Sequence, residues 1–526
     1  MDLKNKHLVH LAEGMLWVGV LLFFSKTGPE GVLYAAGTLE IFYAVFRFFL
    51  GYLPDAVSRV CRNKRNKERS GMSAVAVKAS LLYGLAGTLL CMLALFGLSM
   101  VMDSLGISYM GQLLKIFLWI TIPGCILQIL LGILQAETGK TNTGVVRVIL
   151  SVGVIIGTLL GVNVLYPYGV KVGDFLQHSQ VQYFYMALAI LPGIGLGLLA
   201  GILYAVVMII IHRNDFGCLH GAKDPKLPTV KGMLGMLYGQ VAMDSILILL
   251  TRLPLIFLFF LAMRAGEEEQ LLFGTFYGVI LPLLMLVRFV VDLGLTPIER
   301  GMVSSLRKRQ DNHYYRYYIG AMKYVLLSGV AVAVLFAALH KPYLAQWNLQ
   351  TTETLMSLAL GCSALFFITF PWQFLLDMMK LKGGERVLLI AMALGNIGAF
   401  LSAEVFAGEA GLSAAVFVRS LTLFYLISTV VMLIFTEREI GTSPLTYLSQ
   451  IWLPLLLTGG VGLLVFGMQH LLFTGLGGFA TVLLGGFVGL CLDLFVVGIT
   501  GAYSKEELRM VPLGRVIGRF RGMKSI

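Results

Sequence analysis

Long runs of apolar residues recur along the whole chain and are separated by short polar segments. A helix needs about twenty apolar residues to cross the hydrocarbon layer of a bilayer. Because backbone groups in that layer must hydrogen-bond within their own segment, runs of this length are expected to form helices. The pattern predicts about fourteen transmembrane helices, at residues 8–25, 32–58, 73–101, 113–135, 144–166, 184–211, 234–263, 271–296, 319–339, 355–379, 387–407, 411–435, 448–470 and 477–500.

The composition agrees with this reading. Of the 526 residues, 58% are hydrophobic and only 13% are charged, whereas a soluble domain is nearer half apolar and one quarter charged. A soluble protein with so little polar material would be unable to cover its surface. The sequence therefore predicts a single all-α integral membrane domain.

The basic residues alternate from one side of the predicted membrane to the other. The loops after spans two, six, eight and ten are rich in lysine and arginine, whereas the loops on the opposite side are nearly bare. The positive-inside rule places the rich loops, and with them both chain ends, in the cytoplasm. We therefore expect a multi-pass protein of the bacterial cytoplasmic membrane. Its net charge of +12 is expected to face anionic lipids rather than nucleic acid.

Two regions of the chain repeat at a nearly constant distance. Gly51-Tyr-Leu-Pro54 ends span two and Gly294-Leu-Thr-Pro297 ends span eight, while Gln128 and Gln373 occupy spans four and ten. Two pseudo-symmetric six-helix lobes in the same orientation would explain both matches, as in transporters built from parallel repeats. The predicted organisation is two lobes, two added helices and a cytoplasmic amphipathic tail, at residues 1–215, 216–440, 441–502 and 503–526.

Four short motifs, in this order, resemble a known family. They are Gly31-Val-Leu-Tyr-Ala-Ala-Gly37, Leu53-Pro-Asp-Ala-Val-Ser-Arg59, Leu134-Gln-Ala-Glu-Thr-Gly-Lys140 and Ser504-Lys-Glu-Glu-Leu-Arg-Met-Val-Pro-Leu-Gly514. The chain resembles the multidrug, oligosaccharidyl-lipid and polysaccharide flippase superfamily, and is most similar to its polysaccharide-transporter branch, which includes stage V sporulation protein B. The resemblance implies a central cavity, lined by spans one, two, seven and eight, that opens alternately to each side.

Polar side chains inside those spans are the candidate substrate site, because charges at membrane depth are costly and usually functional. Guanidinium groups match phosphate oxygens, so arginines in the cavity would hold a diphosphate. The candidate substrate-binding residues are Arg47, Arg252, Arg288, Glu40, Tyr43 and Gln240. The alternative for Arg288 is structural pairing with Asp292, one helical turn later. Span one contains His10 and Glu13 but no arginine, unlike many lipid-linked-sugar flippases, so the head group stays open.

Transport against a gradient needs a coupling ion or the membrane potential. Asp244 and Glu13 are the candidate carboxylates for sodium or a proton, and Asn396 offers a further oxygen. The cysteines show no CxxC pair, and no cluster of metal-ligand residues appears, so no metal or other cofactor is predicted.

Three functions fit these observations to different degrees. The first is a monomeric flippase for a lipid-linked oligosaccharide or related polyprenyl-diphosphate precursor. The second is an ion-coupled exporter of cationic drugs or other small molecules, for which acidic and aromatic cavity residues would be expected. The third, a membrane glycosyltransferase, polymerase or ligase, would need acid–base groups in a sizeable outer loop. The longest predicted outer loop, residues 167–183, contains little beyond Asp174 and His178, so no enzymatic activity is predicted.

The tail has its own pattern. Ser504 and Glu507 have the spacing of a capping box, which begins a helix. Apolar residues interleaved with arginines follow, from Leu508 to Arg521. This mixture predicts a helix, broken near Pro512, that lies on the cytoplasmic leaflet.

Overall fold

The computed structural model describes residues 3–62, 70–138, 140–178, 180–212, 229–349, 352–407, 413–473 and 475–520, and all regular structure in these ranges is helical. Thirteen helical stretches there are long and apolar enough to cross a membrane. The first, His7–Ser58, has 52 residues, about 78 Å of helix and more than twice the hydrocarbon thickness. It is interrupted at Gly28, whose φ is 70°, in the left-handed region that glycine tolerates. Two crossings therefore share this stretch, and the all-α fold with about fourteen spans is confirmed.

The chain packs as two compact units, residues 2–282 and residues 283–526. We call them the N-terminal unit and the C-terminal unit. The division falls near the start of the eighth span rather than at the predicted boundary between residues 215 and 216. Packing in one conformation does not show which helices move together, so the predicted lobes stay a prediction.

The helices follow the predicted spans closely. The N-terminal unit contains α1 (Leu3–Phe46), α2 (Leu53–Arg62), α3 (Ser70–Ser104), α4 (Ser108–Phe117), α5 (Thr121–Thr138), α6 (Lys140–Leu176), α7 (Gln180–Leu188), α8 (Ile190–Ile211), α9 (Val230–Arg264) and α10 (Glu267–Thr275), with π-helical segments at Arg47–Gly51 and Phe276–Ile280. From the boundary onward come α11 (Leu281–Arg307), α12 (Asp311–Ala345), α13 (Glu353–Gly361), α14 (Ser363–Lys382), α15 (Glu385–Ala407), α16 (Ala414–Ile440), α17 (Pro444–Leu471), α18 (Gly478–Thr500), α19 (Lys505–Leu508) and α20 (Gly514–Phe520).

Each unit has its own apolar core. In the N-terminal unit, α2, α3, α5 and α9 contribute Leu53, Ala79, Ile129 and Val241 to one cluster. In the C-terminal unit, α12 and α17 form a second cluster. Lipid tails are as apolar as leucine, so such clusters hold helices together by close packing rather than by exclusion of water.

Glycines allow the backbones of α6 and α8 to come into direct contact. A Cβ atom added to Gly157 would lie 2.7 Å from the Cα of Gly193, and one added to Gly153 would lie 2.6 Å from the Cα of Gly197. The glycine-rich run of the sixth predicted span, residues 193–201, is therefore a helix-packing surface.

The residues after α18 fold back onto the C-terminal unit. Lys323 in α12 is 1% exposed, and its ammonium group donates to both carboxylate oxygens of Glu507, at 2.8 and 2.9 Å, and to the carbonyl oxygen of Ala502, at 3.2 Å. Ser504 and Glu507 form the predicted capping box at the start of α19. Burial raises the pKa of the Tyr503 phenol well above its ordinary value. One carboxylate thus caps a helix and balances a lysine inside the bundle.

Part of the tail's apolar surface is covered by the protein, and the predicted position of the tail on the cytoplasmic leaflet stays a prediction. Leu508, Val511 and Ile517 are each less than 7% exposed, because they pack against the protein and not against lipid. Phe520 and Ile517 of α20 contact the backbone position of Gly498 in α18. The alternating pattern correctly indicated an amphipathic segment, but it contains no information about which surface covers the apolar side.

Substitution of Gly193 by Ala should destabilise the fold, because the new Cβ would lie 2.5 Å from the carbonyl oxygen of Val154 and two backbones must then separate. Gly195 in the same helix has no neighbouring atom within 4 Å of its Cβ position, so Gly195→Ala is the matched control. We expect a clear fall in the thermal unfolding temperature in detergent for Gly193→Ala alone. Equal effects of the two substitutions would contradict this packing.

Substitution of Lys323 by Ala should cost about 3 kcal/mol in the free energy of unfolding, because Glu507 is left without its buried partner. The control is the pair between Arg316 and Glu506, whose side chains are 55% and 62% exposed. Arg316→Ala should cost less than about 1 kcal/mol. Detergent unfolding curves measure both, and similar losses would show that the Lys323 pair contributes no more than a surface contact.

Candidate functional site

A buried carboxylate lies at the centre of a polar cluster in the N-terminal unit. Glu40 of α1 is 5% exposed. It accepts hydrogen bonds from Arg252 of α9, with Nη1 at 3.1 and 3.3 Å from its two oxygens, and from the Tyr277 hydroxyl at 2.7 Å. Three helical elements far apart in the sequence therefore meet at one side chain.

A tyrosine ring lies between two arginines of this cluster. The Tyr43 ring is 4.9 Å from the guanidinium carbon of Arg252 and 5.4 Å from that of Arg47. Arg47 also lies 5.3 Å from the Tyr52 ring, and it donates from Nε to the Tyr43 hydroxyl and from Nη1 to the carbonyl oxygen of Gly51. Aromatic faces attract cations, so the rings hold Arg47 without neutralising it.

Local helix geometry explains how these side chains converge. Glu40, Tyr43 and Arg47 are spaced three and four residues apart, which places them on one helix face. A π-helical segment, Arg47–Gly51, begins at the last of them, and a second, Phe276–Ile280, contains the tyrosine that binds Glu40. π-Helical turns are rare and occur frequently at functional sites.

Two glycines bring the second π-helical segment close to α1. A Cβ atom on Gly274 would lie 2.2 Å from the carbonyl oxygen of Pro29, and one on Gly278 would lie 2.3 Å from the Phe24 ring. Small residues four apart are a common way for membrane helices to approach closely. This approach lets the hydroxyl of Tyr277 reach Glu40.

The two arginines of the cluster differ in their charge balance. Arg252 forms an ion pair with Glu40, whereas no described carboxylate forms an ion pair with Arg47. Glu13 and a further arginine, Arg147 of α6, interact with Arg47 electrostatically. Sequence reasoning did not select Arg147, although its position inside the fifth predicted span was a sufficient signal. The site thus holds three arginines, and of these Arg47 has no ion-pair partner among the described carboxylates, although Glu13 interacts with it electrostatically.

Two of the candidate ion-coupling residues, Glu13 and Asp244, lie in the N-terminal unit and interact electrostatically with members of the polar cluster. Glu13 has a 61% exposed side chain whose nearest basic neighbour is His10, at 3.8 Å. Asp244 is half-buried on α9 and interacts electrostatically with Tyr52. Asn396 lies in the C-terminal unit and donates to a carbonyl oxygen of its own helix. No group of three or more possible metal ligands occurs among the described residues, and ion coupling stays a prediction.

Arg288 belongs to a separate polar group in the C-terminal unit. Its Nη2 donates to Oε1 of Gln373, and its Nε lies 3.7 Å from Oδ2 of Asp292. Gln373 in turn donates to Asp377 at 3.1 Å. The predicted alternative of pairing with Asp292 is therefore present, and a role in substrate binding stays a prediction. Gln240 lies on α9, and its side chain is outside the part that the structure describes.

Glu40→Ala should cost about 3 kcal/mol in the free energy of unfolding, because Arg252 loses its ion-pair partner inside the membrane. Tyr277→Phe removes one hydrogen bond and should cost about 1 kcal/mol. The double variant Glu40→Ala, Arg252→Ala should lose at least about 1 kcal/mol less than the sum of the single losses. Unfolding in detergent measures this cycle, and strictly additive losses would show that the pair makes no specific interaction.

Comparison with known proteins identifies the fold. No protein-family model and no curated protein matches the sequence, but several solved structures do. An inward-facing multidrug resistance MATE family transporter of the MOP superfamily aligns with 81% of this chain and 94% of its own, at a TM-score of 0.59 and 16% identity. The outward-facing conformation of a multidrug resistance MATE family transporter aligns with 83% of this chain and 96% of its own, at a TM-score of 0.53 and 15% identity. A MOP superfamily transporter from Pyrococcus furiosus Vc1 (DSM3638) aligns with 83% of this chain and 96% of its own, at a TM-score of 0.52 and 15% identity. It is described by the reverse polarity of its binding pocket, which suggests a different function for that protein. At these identities the likeness establishes the fold alone: this chain has the helical fold of the MATE transporters of the MOP superfamily.

Proposed function

We propose that this protein is an alternating-access flippase or exporter whose cargo is a lipid-linked oligosaccharide or a related polyprenyl-diphosphate precursor of the cell envelope. The diphosphate would bind in the polar cluster of the N-terminal unit while the lipid tail stays in the bilayer. Movement of one lobe against the other would expose the head group to each side in turn. No covalent chemistry is needed.

Arg47, which forms no ion pair with a described carboxylate and has donors to spare, carries the proposal. A guanidinium group has five N–H donors, and Arg47 uses two of them, for Tyr43 and Gly51. The remaining three donors and the charge suit an anion with several oxygens, such as a diphosphate. A charge at membrane depth is costly unless a partner balances it. A transported anion is the partner that the described part of the protein does not itself provide.

Arg252 and Arg147 would take secondary roles. An anion that binds Arg252 must compete with Glu40, which already accepts two contacts from that guanidinium. Arg147 interacts with Arg47, and because like charges repel, a bound dianion would relieve that repulsion. We therefore expect Arg47 to contribute most to head-group affinity.

The second candidate, an ion-coupled exporter of small molecules, keeps the same fold. The exposed carboxylate of Glu13 is the observation that favours it, since a cationic cargo needs an accessible acid. The fold itself does not decide the charge of the cargo, because the solved relatives include one described by reverse pocket polarity. The three donors of Arg47 that no described group uses favour an anionic cargo.

Arg47→Ala should reduce flipping of a fluorescent polyprenyl-diphosphate sugar in proteoliposomes at least about tenfold, since a charged hydrogen-bonded contact contributes about 1.5–3 kcal/mol. Arg47→Lys should restore part of the rate, because lysine keeps the charge but loses the planar fork of donors. Arg264, which is exposed at the end of α9, provides the control substitution Arg264→Ala, expected to have little effect.

The same proteoliposomes separate the two candidates. Normal flipping by Arg47→Ala would contradict the anionic site. Failure of the unmodified protein on every polyprenyl-diphosphate sugar, together with sodium- or proton-driven drug efflux, would establish the second candidate instead.

A further inference from the structure

The segment after α18 has a second face that the protein leaves uncovered. We call residues 502–520 the C-terminal segment. Its inner side chains are buried, but Leu513 and Val516 are 58% and 40% exposed, and Phe520, whose ring also packs edge-on against Phe495 of α18, is 44% exposed. The arginines between them, at positions 509, 515 and 519, are exposed as well. The outer face therefore combines apolar side chains with three positive charges, and residues 509–520 include no acidic residue.

The position of this face relative to the bilayer follows from the chain. α18 ends at Thr500, Gly501 caps it in a left-handed conformation, and α19 begins at Lys505. Contacts with Lys323 in α12 and Gly498 in α18 then hold the segment against the end of the bundle. A segment that starts so close to the end of a span and is folded back on it lies at the level of the lipid head groups.

Leu513 adds an independent observation. Its φ is 57°, a conformation that costs an L-residue with a Cβ atom conformational energy, and its side chain points away from the protein core. A glycine would adopt this φ without strain. The left-handed turn between α19 and α20 leaves the Leu513 side chain 58% exposed, so it is available to surrounding lipid.

We propose that the outer face of the C-terminal segment, formed by Arg509, Leu513, Arg515, Val516, Arg519 and Phe520, is a docking surface for anionic phospholipids of the leaflet in which α18 ends. The apolar side chains enter the boundary between head groups and acyl chains, as in interfacial amphipathic helices. The arginines bind the phosphate-bearing head groups, and the positive-inside rule places this end of α18 at the anionic cytoplasmic leaflet. Through Glu507, the same segment balances Lys323, so lipid binding on one face stabilises the packing on the other.

The proposal is tested by the quenching of a fluorophore by brominated lipids, not by a transport assay. The result therefore does not depend on which cargo the protein transports. A fluorophore is attached at Val516→Cys, in a chain whose native cysteines are replaced by serine, and the protein is reconstituted in phosphatidylcholine containing phosphatidylglycerol. In one sample only the phosphatidylglycerol is brominated, and in the other only the phosphatidylcholine. We expect brominated phosphatidylglycerol to quench the fluorophore more strongly than its mole fraction in the bilayer predicts. Added salt should reduce this preference.

Matched variants decide whether the preference belongs to this surface. The triple variant Arg509→Gln, Arg515→Gln, Arg519→Gln should weaken the binding of phosphatidylglycerol to this surface about one hundredfold, at roughly fivefold for each arginine. The preferential quenching should then disappear. The control removes three exposed charges after the eighth span, by Arg300→Gln, Arg307→Gln and Lys308→Gln, and should keep the preference. Unfolding in detergent verifies that both variants are folded, and Leu513→Gly should be as stable as the parent yet less quenched.

Equal quenching by the two lipids in the parent would overturn the proposal. A preference that survives in the triple arginine variant, or an equal loss in the control, would overturn it as well. Absence of quenching by either lipid would place the segment in water and would also reject it.

Discussion

The cost of a charge inside the membrane organises this structure. A lone ion in the hydrocarbon layer costs several kcal/mol, so such groups must find partners. Arg252 pairs with Glu40, and Lys323 pairs with Glu507. Desolvation offsets much of the attraction in such pairs, which makes them poor sources of net stability but costly to break. These pairs instead determine which helices pack together. Arg47 differs from Arg252 and Lys323 because two tyrosine rings, and not a carboxylate, lie against its guanidinium group.

Close helix approach places these partners. Between α6 and α8, and between the second π-helical segment and α1, glycines allow backbone contact that larger side chains would prevent. The hydroxyl of Tyr277 can reach Glu40 only because Gly274 and Gly278 face α1. Packing of small residues and pairing of charges are thus two parts of one arrangement, the first setting the distance and the second the specificity.

The repeat in the sequence shows how a shared pattern can lead to different local structures. Gly51 ends a π-helical segment, and a new helix starts at Leu53, whereas Gly294 lies inside the uninterrupted helix α11. The neighbours differ as well, since Gly51 faces the side chain of Arg47 and Gly294 faces Tyr324 and Pro512. Positions that match in the sequence repeat therefore need not have matching local structures.

The sequence by itself determined the number of spans, their helical form, the capping box of the tail and the helix face shared by Glu40, Tyr43 and Arg47. All of these depend on hydropathy, spacing and hydrogen bonds within a short stretch of chain. Only the tertiary structure decided that Arg252 pairs with Glu40, 212 residues away, that Tyr277 donates to the same carboxylate, and that Lys323 is balanced by the tail. Such pairs depend on which helices pack together and at what depth. Hydropathy cannot determine this, because one apolar helix face is much like another.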